Sequence, residues 1–129
     1  MKITGIDLHP VATRRRNGSL NYHVVVLLDT DAGVTGLGEF SDLSHTPAMM
    51  PDLGDLEAYL EDLLVGADPT NRTRLEETVA EPFPNVAKSA HVKAGLETAC
   101  FDAAAKELDV PLHQLLGGAK RDRIPICYP

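Results

Sequence analysis

A chain of 129 residues, 43% apolar and 24% charged, has the make-up of one globular domain and is long enough to bury roughly two thirds of its unfolded surface. Its net charge of −7 is dispersed along the chain, which argues against nucleic acid or an anionic membrane as partner. No leader-like apolar core or run of membrane-spanning length occurs, and Cys100 and Cys127, both in apolar segments, do not form a disulfide framework, so a soluble protein of the reducing cytoplasm is expected.

Taken in order, the chain predicts a β front and an α back. Residues 2–13 alternate loosely around Ile3, Ile6, Leu8 and Val11, and Pro10 confines this strand to an edge or a bend. Residues 22–29 form a β-branched run suited to a well-buried strand. Turn chemistry at 29–33 leads into an antiparallel partner at 34–40. Gly36 and Gly38 lie two apart on that partner and leave one face bare, so something must pack very close there. The front therefore reads as a three-stranded antiparallel meander.

After Pro51 the spacing turns helical. Leu53, Leu56, Leu60, Leu63 and Leu64 share one stripe, and Gly66 and Pro69 bracket its stop. A second helix is expected from Asp68-Pro69-Thr70, carrying Leu75 and Val79 and ended by Pro82 and Pro84. A third runs from about Val86 to Leu108, and its small residues Ala90, Ala94, Gly95, Ala99 and Ala103 predict close approach of a neighbouring helix. Leu115-Leu116-Gly117-Gly118 reads as a turn, followed by an apolar strand at Arg123–Tyr128 with no evident partner. The fold class is α+β, a meander followed by a bundle of about three helices.

Tests for chemistry mostly fail. The Asp29–Val34 run begins like a calcium loop but departs at the fifth and sixth positions, and Phe40 stands where a bidentate glutamate belongs. Gly36-Leu37-Gly38 lacks a third glycine and opens no helix, so it is no dinucleotide fingerprint. The histidines His9, His23, His45, His91 and His113 have no metal-ligand spacing, and His23 reads as an ordinary strand residue. No serine sits in a nucleophile elbow. Two polar loops, residues 14–21 and 41–50, stand out instead. Antiparallel geometry brings both to one end of the meander, where long loops commonly bind ligands. The plainer reading of Arg14–Arg16 is a solvated charge run, and of His45 a surface residue.

The chain resembles the N-terminal capping domain of the enolase superfamily, in its mandelate racemase/muconate lactonizing enzyme branch. The marks run along its length: the Met1–Asp7 opening, the Gly36-Leu37-Gly38-Glu39 hairpin end and the Gly66-Ala67-Asp68-Pro69 connection. The Ala94-Gly95-Leu96-Glu97 helix, with Ala99, Asp102 and Lys106, and Pro111-Leu112 with Leu115-Leu116-Gly117-Gly118 complete the set. Their order and spacing agree with one another, which single marks would not establish.

The resemblance implies an α+β cap joined to a modified (β/α) barrel whose strand ends carry the chemistry. Barrel carboxylates there hold Mg²⁺, and a base removes the proton α to a substrate carboxylate. No position in this sequence matches the base or the metal ligands, so no catalytic or metal-binding residue is assigned, and the chain alone is expected to be inactive. The division implied is a cap over residues 1–118, with 119–129 as linker and first barrel strand. Two cap loops, about Arg14–Tyr22 and Glu39–Pro51, would close over the barrel mouth. Arg16 or Asn17 would meet an anionic or hydroxylated substrate, and Tyr22 or His45 would line the wall. The expected ligand is a small carboxylate or sugar acid bound only with the barrel, and the expected assembly is a homo-oligomer. The alternative is a free-standing module derived from such a cap, without enzymatic activity, that binds a small acid or another protein or associates with itself.

Overall fold

The computed structural model describes residues 1–41, 52–80 and 86–126. Pro82, Pro84, His45, Cys127 and Tyr128 fall outside them.

Three strands, β1 (Ile3–Arg14), β2 (Leu20–Thr30) and β3 (Thr35–Ser41), pair antiparallel in the order β1-β2-β3. The β2 run sits in the centre, as its β-branched content requires, and buries Val24, Val26, Leu28 and Thr30 on one face. A register shift between Ile3 and Gly5 lets Ile3 and Ile6, three apart, both turn inward with Leu8. Gly33 makes the β2–β3 turn with φ +74, closed by bonds between Thr30 and Val34 and from the Gly33 N–H to the Thr30 carbonyl.

Four helices follow: α1 (Leu53–Leu64), α2 (Arg72–Ala80), α3 (Val86–Glu107) and the short α4 (Leu112–Leu115). Leu56, Leu60 and Leu64 bury the predicted stripe of α1, with Leu53 and Leu63 packed partly against the core. Asp52 caps α1 by accepting the N–H groups of Gly54 and Asp55 at 2.9 and 3.1 Å. The start of α2 lies later than the sequence suggests. Asp68 instead closes a turn onto the Thr70 N–H and hydroxyl, and Asn71 accepts from the Arg74 N–H at 3.3 Å as the helix begins. Four residues too short for an amphipathic pattern form α4, which the sequence presented only as a turn.

The small face of α3 does not meet another helix, as its composition suggested. Gly95, Ala99 and Ala103 lie on β3, with the bare face of Gly36 and Gly38 as the reason, while Ala90 and Ala94 are exposed. A Cβ on Gly36 would run into the Ala99 carbonyl oxygen and stand 2.9 Å from the Ala103 Cβ. A Cβ on Gly38 would collide with the Gly95 carbonyl oxygen. One core therefore joins Ile3, Ile6, Val26, Leu28, Leu60, Leu64, Val92 and Ala99 beneath a single face of the sheet.

Both outer strands have backbone groups taken up by side chains or turns. On β1, the Leu8 N–H donates to the Glu57 carboxylate at 2.7 Å, and Ile3 exchanges two bonds with Gly66 and Ala67. Pro10 brings no N–H to this edge. On β3, Asp102 and Lys106 fill the same role. Residues 119–126 join no sheet, and Ile124 and Ile126 are 79% and 85% exposed.

Candidate functional site

The end of the sheet where β1 stops and β2 starts carries the arginine-rich segment. Pairing continues to Arg14 opposite Leu20, well past the point where β3 ends with Ser41 beside His23. The expected long loop over 14–21 is therefore a tight turn of five residues, 15–19, on a projecting two-stranded arm. Its strands extend because ladder bonds need no apolar pattern, and residues 9–20 are exposed throughout.

At the tip the Arg15 N–H donates to the Ser19 carbonyl at 2.8 Å, and Gly18 turns the chain with φ +84. The Asn17 side-chain oxygen accepts from the Ser19 N–H at 3.0 Å and from its hydroxyl at 2.7 Å, so this atom shapes the turn. Arg16 and Asn17 stand exposed together at the tip. Tyr22 sits lower, opposite Ala12 on the stem, and is 50% exposed. The structure thus brings two of the four candidates together, sets the third apart on the stem, and does not describe His45.

Sequence reasoning missed one pair. His23 Nδ1 and Glu39 Oε1 lie 2.6 Å apart on the sheet face away from the helices. Glu39 is opposite Val25, so His23 is its diagonal neighbour on the same face. Only the register, set by the Gly33 turn, reveals this contact.

A second feature lies at the other end of the body. A cleft of about 310 Å³ opens between α2 and α3, floored by Leu75, Val79, Leu96 and Phe101 and reached by Leu115 of α4. The Arg72 guanidinium stands 5.6 Å from the Phe101 ring centre and bonds Glu76 at 2.7 Å. This partner holds the Glu76 carboxyl below the usual carboxylate range. Cys100 also lines the cleft, and burial, with a smaller effect from Glu97, pushes its thiol up to about 12. Among the described residues no three His, Cys, Asp or Glu side chains converge as metal ligands, so none offers a cage for Mg²⁺. No helix among them is long and apolar enough to cross a membrane.

Comparison with known proteins decides the assignment. Residues 3–117 match the family model for the mandelate racemase / muconate lactonizing enzyme N-terminal domain. The chain belongs to this family. A chloromuconate cycloisomerase of Cupriavidus pinatubonensis is 36% identical over 114 residues, covering 82% of this chain and 29% of the relative. The N-succinyl-L-Arg/Lys racemase of Bacillus cereus is 28% identical, covering 99% and 37%. The crystal structure of that racemase superposes with a TM-score of 0.75 at 27% identity over 95% of this chain and 35% of the racemase chain. A Roseovarius nubinhibens protein solved complexed with magnesium gives a TM-score of 0.74 at 28% identity, covering 98% and 35%. The chain spans about a third of the length of these relatives. The mandelate racemase / muconate lactonizing enzyme N-terminal domain is thus an α+β unit here too, with a three-stranded antiparallel sheet and four helices among the described residues.

Proposed function

We propose that this domain is the substrate-covering cap of a metal-dependent enzyme that abstracts the proton α to a carboxylate. The product class would be that of a racemase, cycloisomerase or sugar-acid dehydratase. The metal and the base would be supplied by a barrel outside residues 1–118. The observation that carries this reading is the family match over 3–117 on a fold with an exposed polar arm. At the tip, Arg16 would attract the anionic or hydroxylated end of the substrate, and Asn17 would meet it too while its side-chain oxygen holds the turn in shape. Tyr22 on the stem, and His45, would line the wall. An exposed arginine draws anions by charge and offers paired donors to a carboxylate. Residues 119–129 would lead into the barrel, a reading supported by the exposure of Ile124 and Ile126 and by the lack of a strand partner for 119–126.

The test is proton exchange in D₂O followed by NMR, using the full-length polypeptide with Mg²⁺ and a panel of small carboxylates and sugar acids. Exchange at the α carbon is expected with the full polypeptide, and none with residues 1–129 alone. Arg16→Ala is expected to raise KM about tenfold, the loss of a charge-assisted hydrogen bond. Exchange by residues 1–129 alone would overturn the reading. So would unchanged KM and kcat in Arg16→Ala, Asn17→Ala, Tyr22→Phe and His45→Ala.

The exposed isoleucines also favour a second reading, in which the domain associates with itself through residues 119–129. Sedimentation that shows a monomer at every concentration would remove it.

A further inference from the structure

We infer that His23 and Glu39 are a positioning pair that fixes the lean of the arm, and this rests on the reading that the arm reaches substrate. Among the described residues, those of the arm take no part in the helix-backed core. Val11, Leu20 and Tyr22 are 42%, 40% and 50% exposed, so packing does not set its direction. From Ile3 to Val11, β1 belongs to a sheet backed by α1 and α3, but among the described residues it continues beyond the His23–Ser41 pair as a two-stranded ribbon. Such ribbons twist and bend more readily than wider sheets. The last three-stranded rung, Val11–His23–Ser41, is therefore where the arm's direction is decided.

The His23–Glu39 contact runs diagonally from this rung back toward the body. At 2.6 Å it joins β2, which feeds the arm, to β3, which α3 holds against the body. Glu39 itself has little room to shift along the sheet, because the adjoining Gly38 is pressed onto the Gly95 carbonyl and Phe40 is buried. A tether from this fixed strand to His23 resists rotation of the ribbon about the rung. Neither side chain needs to touch substrate to do so.

The test uses the full-length polypeptide, with spin labels at Thr13 on the arm and Ala58 on α1, both exposed positions. His23→Ala and Glu39→Ala are each expected to broaden the label-to-label distance distribution while leaving the thermal midpoint within a few degrees. They should raise KM about two- to fivefold with kcat unchanged, the scale of one side-chain hydrogen bond. Glu39→Gln keeps an oxygen that accepts an imidazole N–H and should behave as the unaltered protein does. An unchanged distribution in both alanine variants overturns the inference, as does a Glu39→Gln variant as impaired as Glu39→Ala. If the distribution broadens and KM stays constant, the pair does not position the arm for substrate. Arg16→Ala then separates the causes: a raised KM there sinks the inference alone, and an unchanged one sinks the reading of the arm as well.

Discussion

Asp102 on α3 accepts the backbone N–H of Leu37 on β3 at 2.8 Å, across 65 residues of sequence. One helical turn later, Lys106 lies 2.7 Å from the same carboxylate and donates to the Thr35 carbonyl at 2.7 Å. A carboxylate and an ammonium at i and i+4 thus meet the donor and the acceptor that an outer strand leaves open. Two of the residues on which the family resemblance rests thus hold α3 to the outer strand.

Asp102→Ala should lower stability by about 1–2 kcal/mol, because the Leu37 N–H loses a charged acceptor in a partly exposed setting. Lys106→Met should cost about 0.5–1 kcal/mol, since its ammonium is more exposed. Urea unfolding of both variants and of the pair should show less than additive losses, as residues sharing one network do. Fully additive losses would mean the two act independently.

Gly38→Ala should be the most damaging single methyl in the sheet. Its Cβ would meet the carbonyl backbone of Gly95, which only a shift of α3 relieves, so a loss of about 3 kcal/mol or more is expected. Gly95→Ala faces contacts of 3.1–3.2 Å with Glu39 and Phe40 and gains helix propensity, so it should cost clearly less. Thermal unfolding of the two variants checks the order, and a reversed order would contradict the packing described.

In a Cys127→Ser background, the Cys100 thiol should resist iodoacetamide and disulfide reagents at pH 8 until the protein unfolds. Its folded value is raised from 9.0 to about 12 by burial. The unfolded thiol therefore loses its proton first. The stability that the buried neutral thiol contributes is full below pH 9 and is lost as pH rises from there through about 12. Modification rates and unfolding midpoints across that window would show it. Rapid labelling at pH 8 with the fold intact would count against it.

Asp52→Ala should cost about 1 kcal/mol by leaving the Gly54 and Asp55 N–H groups without their cap. Asp52→Asn should retain most of that. Equilibrium unfolding in urea distinguishes the two.

The sequence was most legible where structure is decided locally. The β2 run, turn chemistry at Gly33 and the leucine stripe of α1 translate directly into the observed elements, whereas Ile3 and Ile6 share a face only through the shift at Gly5. The bare face of Gly36 and Gly38 announced a close neighbour, though not which one. What stayed hidden depends on competition or on register. Asp68 and Asn71 are both good cap residues, and the chain spends the first on a turn and the second on α2. Arg14, Leu20 and Asn21 carry no strand signal, yet ladder bonds extend the arm through them. The His23–Glu39 contact exists only on the diagonal of a register that no single strand reveals.

The arm also has a mechanical consequence. From the His23–Ser41 rung the paired strands run three residues further, to Arg14 and Leu20, or roughly 10 Å at strand spacing. The arm behaves as a cantilever clamped at one end, so a tilt of about 12° at the clamp carries the far end of the ladder about 2 Å, enough to make or break a hydrogen bond. Stiffness at a few buried and paired residues in the body is thereby converted into accuracy of placement at a distance. A substitution at the root of such a beam would be felt by whatever the free end touches, with no atom altered there.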